Sequence, residues 1–216
     1  IFTPPDGAVT ELALAPSQGD LRIHIPEDKA QTALGYMVEA PALSSKEALA
    51  WRLALYMFSH GYGGRLGDEA ISNRGLAYYV SADYRGGENA GLVTLNIGVD
   101  PDKQQALFET LKAELARFVA EPPDEAELAE AQRNLIGRKV SAAQSNEEIV
   151  DALASDWAGP GLTTIAEFRA AVNAATLRDV RAVLPRFADG DFVVTSAGAA
   201  KDATVSTGES PMESDG

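Results

Sequence analysis

The strongest constraint on this chain is the stretch from residue 61 to residue 80, which reads GYGGRLGDEAISNRGLAYYV. Five of its first fifteen residues are glycine, yet it lies between an amphipathic helical pattern and two strand patterns. Glycine loses more backbone freedom on folding than any other residue. A cluster of it therefore predicts positive φ or close backbone approach. Gly75 falls where a C′ glycine would stop a short helical piece running from Arg65 to Arg74. Leu76 to Tyr84 then reads as a strand.

The rest of the chain is organised around that stretch. Leu21-Arg22-Ile23-His24-Ile25 alternates apolar and polar residues, as a half-buried strand does, with His24 on the wetter face. Gln31 to Ala40 is a second strand with apolar residues on both faces, and a turn at Pro26-Glu27-Asp28 would join the two as a hairpin. Ser44-x-x-Glu47 has the form of a capping box and predicts a helix to about His60 with a stripe of Leu49, Leu53, Tyr56 and Met57. A strand from Gly91 to Val99 should bury Val93, Leu95, Ile97 and Val99 on one face, paired to the preceding strand through the loop at residues 85–89. Asp100 before Pro101 predicts an N-cap, followed by a helix with the stripe Leu107, Leu111, Leu115 and Phe118. Pro122-Pro123 ends it. A helix from Asp124 to about Ala142 turns Leu128, Ala131 and Leu135 inward. Ser145-x-x-Glu148 predicts another helix, with Ile149, Leu153 and Trp157, closed by Gly159-Pro160-Gly161. Thr164-x-x-Glu167 and Thr176-x-x-Asp179 open two more, and residues 191–195 form a last strand. The order β-β-α-β-β-α-α-α-α-α-β indicates an α+β fold, a largely antiparallel sheet with helices packed on one face. Residues 1–19, with three prolines and two glycines, read as a linker. Residues 199–216 read as a disordered acidic tail.

Composition excludes several function classes. A formal net charge of −14 disfavours nucleic acid and anionic membrane surfaces as partners. No run of 18 apolar residues suggests a membrane span. With 0 cysteines there is neither a disulfide nor a thiolate metal site. The chain opens on Ile1 without a charged segment leading into an apolar one, the pattern of a processed or truncated product whose targeting signal would lie upstream. The compartment stays open, with bacterial periplasm and cytoplasm both compatible.

Gly63-Gly64-Arg65-Leu66, a short helix, and Gly75-Leu76-Ala77-Tyr78 opening a strand resemble the non-catalytic half of the pitrilysin-family zinc peptidases. These include the insulin-degrading and mitochondrial processing peptidases, and the resemblance runs from about Asp20 to Gly198. It implies a half-molecule, inactive alone, that pairs with a catalytic half or a homologous subunit and helps to hold a peptide substrate. Zinc would belong to the missing half, whose H-x-x-E-H motif supplies two histidine ligands and a general base. The only histidines here are His24 and His60, neither in such a motif, so no cofactor is expected in this chain. A family member without catalysis could equally serve as an assembly subunit.

The resemblance also implies a substrate-binding pair, a tyrosine and an arginine near the reacting carbonyl. Tyr78 holds the tyrosine position. It could hydrogen-bond a developing oxyanion or orient the peptide backbone. The usual arginine position is occupied by Ile71, with Arg74 as the nearby substitute. Strand alternation puts Tyr78, Val80, Ala82 and Tyr84 on one face and Tyr79, Ser81 and Asp83 on the other, so one tyrosine should face the core and its neighbour should not. Arg65 and the acids Asp68 and Glu69 most simply serve the short helix, and the acids of residues 124–130 a solvated helix start. The glycine segment lacks G-K-[ST] and follows a helix, so it is not a phosphate loop. Ser59 and Ser72 lack a nucleophile-elbow setting.

Overall fold

The computed structural model describes residues 21–25, 31–86, 89–142, 146–147, 149–150 and 164–197. The expected linker, the acidic tail, the turn at 26–28 and most of the helix expected from Ser145 to Gly159 lie outside those residues. Five strands form one sheet, in the order β1-β5-β2-β4-β3. They are β1 (Leu21–Ile25), β2 (Gln31–Ala40), β3 (Ala77–Gly86), β4 (Gly91–Val99) and β5 (Asp191–Ala197). The β2/β4, β2/β5 and β3/β4 pairs are antiparallel and β1/β5 is parallel. The fold is α+β.

The expected β1–β2 hairpin does not form. β5 inserts between them, with Gly35 of β2 opposite Val193 and Ile23 of β1 opposite Thr195. Local turn residues could not reveal this, because the strand that wins the pairing arrives from the far end of the chain.

Alternation decides which face is covered. Leu34, Tyr36 and Val38 of β2 and Val93, Leu95, Ile97 and Val99 of β4 are buried under the helices. The opposite face leaves Met37, Leu92 and Tyr79 exposed. The central helix is α1 (Ala48–Ser59), with ten buried residues out of 12. A helix apolar nearly all round must be enclosed, and α1 is, between the sheet, α4 (Glu125–Ser141) and α6 (Leu177–Phe187). Phe58 of α1, Phe118 of α3 (Gln104–Ala120) and Phe187 of α6 meet with ring centroids 5.2–5.9 Å apart, tilted or edge to face. Such geometries suit the ring quadrupole.

Two helix starts keep their expected caps. Thr164 and Thr176 each form a full capping box at α5 (Ile165–Ala174) and α6, with Glu167 and Asp179. Ser44 does not. Residues 43–47 make turns instead, Ser45 Oγ accepts from the Glu47 N–H (3.2 Å), and α1 begins at Ala48.

Candidate functional site

The glycine segment does what its composition requires. Gly61 has φ +47° and Gly75 φ +58°, the left-handed region. Gly67 is needed for proximity, since a Cβ there would stand 1.6 Å from the Gly61 carbonyl oxygen. The helical piece starts as α2 (Arg65–Gly67) and widens into a π-helix over Asp68–Asn73. Gly75 stops it as expected, its N–H donating to Ile71 O (3.1 Å) while Leu76 N–H reaches Ala70 O (2.8 Å).

Arg65 serves a wider purpose than the short helix. Its Nε and Nη2 donate to the two carboxylate oxygens of Glu127 (2.7 and 2.9 Å), its Nη1 to Glu121 O (2.6 Å), and its guanidinium lies 5.2 Å from the Phe118 ring centroid. Glu127 meanwhile closes the capping box of α4 by accepting from the Asp124 N–H (3.0 Å). One arginine thus ties the glycine turn to the α3–α4 junction. The Arg65 hydrogen bonds hold the Glu127 carboxyl below its ordinary range. The acids at 124–130 are therefore only partly a solvated helix start.

The tyrosine pair breaks strand alternation. β3 carries a bulge between Ala77 and Tyr79, where Ala77 stands opposite Val99 and Tyr79 opposite Gly98. Tyr78 is the extra residue. Both tyrosines consequently point outward, 58% and 47% exposed, while Ala77 and Val80 are buried. Neither of the two expected arrangements, with one tyrosine inside, is correct. The Tyr79 ring instead covers Gly98, where a Cβ would come within 2.3 Å of it. A glycine inside a strand pattern is itself a bulge signal, and Gly98 was the available clue.

Tyr78 donates its hydroxyl proton to Asp100 Oδ1. Asp100 was expected to cap the helix after β4, but its side chain makes no cap hydrogen bond to the 3-10 turn at Pro101–Lys103. Its carboxylate lies 3.3 Å from Lys103 Nζ, and the same ammonium donates to Gly75 O (3.2 Å). The Tyr78 bond pushes the phenol's pKa up and the Asp100 carboxyl's down. Arg74 is held elsewhere, with Nε donating to Glu69 Oε1 (2.5 Å) and Nη1 to Thr110 Oγ1 (3.5 Å). The two residues singled out in the sequence therefore belong to separate hydrogen-bond groups. Ile71 is half-buried against the core.

Among the described residues no three His, Cys, Asp or Glu side chains gather as metal ligands. The side chain of His24 lies outside the description, and His60 stacks on Tyr56 with centroids 4.1 Å apart. No described helix is long and apolar enough to cross a membrane.

The family profile of the peptidase M16 inactive domain matches residues 5–135. The chain belongs to that family. No curated protein matches it in sequence. In fold it is similar to the M16 inactive domain from Pseudomonas fluorescens, with TM-score 0.69 and 23% identity over 84% of this chain and 44% of that one. It is also similar to the inactive peptidase domain of an assigned zinc protease from Bordetella parapertussis (TM-score 0.62, 21% identity, 74% and 87% covered). A chain of Complex III2 from Candida albicans has the same fold (TM-score 0.69, 15% identity, 91% and 49% covered). This chain spans less than half the length of the Pseudomonas structure.

Proposed function

We propose that this M16 inactive domain is the substrate-clamping half of a zinc-dependent metalloendopeptidase acting on peptides or unfolded proteins. A catalytic half would supply the zinc and the general base. The observation that carries the reading is the edge strand. β3 pairs with β4 alone among the described strands, and its bulge turns Tyr78 outward at that edge of the sheet. An extended peptide can add to such an edge through main-chain hydrogen bonds.

The Tyr78–Asp100 bond favours one of the two roles open to the phenol. With its proton given to Asp100, Tyr78 Oη offers only lone pairs. It is suited to accept from a peptide N–H and orient the backbone, not to donate to an oxyanion. Tyr78→Phe in the assembled two-half protein should then raise KM for a peptide roughly three- to tenfold, the worth of one net hydrogen bond. Unchanged peptide turnover would remove Tyr78 from the substrate site. A large fall in kcat at constant KM would restore the oxyanion role.

A second reading, a catalytically dead assembly subunit, is supported by Ile71 at the arginine position and by the likeness to a chain of Complex III2. The two readings part on the catalytic half. An H-x-x-E-H helix there supports the peptidase, and its absence supports the scaffold.

A further inference from the structure

A second concave site lies on the helix side of β3. It is a cavity of about 460 Å³ walled by α1, β3, α4 and α5, a size that suits a small organic ligand. Its apolar lining comes from Leu55, Val80, Ala82, Leu135 and Phe168. Its charged lining is mostly cationic, with Arg52, Arg138 and Lys139 against Asp83. Asp83 is already paired with Arg85 (2.6 Å). In a chain of net charge −14, a cleft whose described lining carries three cations and one acid stands out.

Three details mark it as more than a gap in packing. Arg138 makes no ion pair with any described residue, although it stands at the rim of the cavity. Arg52 and Lys139 both lie against the Phe168 ring, at 5.8 and 5.7 Å from its centroid, so cation and aromatic surface are presented together. The Tyr56 hydroxyl, on a residue only 9% exposed, has no hydrogen-bond partner among the described residues. Native structures rarely leave such a group unmatched. Tyr56 carries the stacked His60 ring, which also lines the cavity. Burial, then Arg138, hold the imidazole pKa below its ordinary value against the opposing pull of Glu130.

We infer that this cleft binds an organic anion, a carboxylate on an apolar or aromatic body, with Arg138 meeting the charge and the Phe168 and Leu55 walls taking the body. A bare inorganic anion would leave the apolar walls unfilled, and a neutral aromatic would leave Arg138 unmatched. The site is independent of Tyr78, whose network lies near the start of β3.

The chain has only two histidines, so the His60 ring protons can be followed in the intact protein by proton NMR. N-acetyl-L-phenylalanine serves as the carboxylate probe and N-acetyl-L-phenylalaninamide as its neutral counterpart. The acid should shift the His60 resonances saturably and leave those of His24 unmoved. The amide should bind about tenfold more weakly or not at all. Arg138→Glu should abolish the acid's effect, whereas Arg138→Lys should keep most of it. Arg138 is exposed, so circular dichroism of both variants should match the parent. Equal binding of acid and amide, undiminished binding to Arg138→Glu, or equal shifts at both histidines would overturn the assignment.

Discussion

Arg65 and Arg74 open and close the same helical piece, and they do opposite jobs. Arg65 is mostly enclosed, with 18% of its side chain exposed, and its partner Glu127 lies 62 residues away. Arg74 has 55% of its side chain exposed and pairs with Glu69, five residues back on its own helical piece. The first fastens two distant parts of the chain around the aromatic cluster. The second stays at the surface, held by its own helical piece and by a long 3.5 Å contact to Thr110 of α3. The family resemblance directed attention to the second arginine, and the physical consequences gather at the first.

The difference predicts a gradient of effects along this segment. Gly67→Ala should be the most damaging, because the added Cβ has nowhere to go except into backbone. We expect a loss of about 3 kcal/mol or failure to fold, read by urea denaturation. A mild effect would mean that the turn can open, and that the Arg65 end is less fixed than described.

Arg65→Ala should cost about 2 kcal/mol, since it strands a partly buried carboxylate and removes a cation from the Phe118 ring. Arg65→Lys should recover less than half, because an ammonium cannot make the two-pronged contact. This pair also carries a pH signature. The folded-state pKa of Glu127 lies below its unfolded value, so its contribution is fully present above the unfolded value and is lost as pH falls through the folded one. Between pH 7 and pH ~3, the parent protein should therefore lose more stability than Arg65→Ala does. Parallel pH profiles would show that the pair contributes nothing.

Arg74→Ala is expected to change stability by less than ~0.5 kcal/mol, the ordinary worth of an exposed ion pair. A cost comparable to that of Arg65→Ala would erase the contrast.

Much of the fold was legible from local patterning. β2 and β4 run over the expected residues, Gln31–Ala40 and Gly91–Val99. The stripe of Leu107, Leu111, Leu115 and Phe118 is buried, and the threonine caps at 164 and 176 form. Most of the misreadings share a cause, which is that a distant partner outcompeted a local one. β5 displaced β2 as the neighbour of β1. Tyr78 drew the Asp100 carboxylate away from the helix start it was placed to cap, and Glu127 was drawn into an ion pair with the glycine turn. Ser44 lost its role because the chain turns through residues 43–47 before α1 begins. At the candidate site, Tyr78 was readable as a motif position and Arg74 as a nearby substitute for the missing arginine, but their engagement in separate hydrogen-bond groups was not. The outward turn of both tyrosines depends on a one-residue bulge opposite Gly98.

On the proposed reading the catalytic metal lies in another half of the protein. Isothermal titration of zinc into this chain alone, at neutral pH after removal of chelators, tests it most directly. No stoichiometric binding tighter than about 10 µM, worth about 7 kcal/mol, is expected. A one-to-one site of nanomolar affinity would contradict the claim.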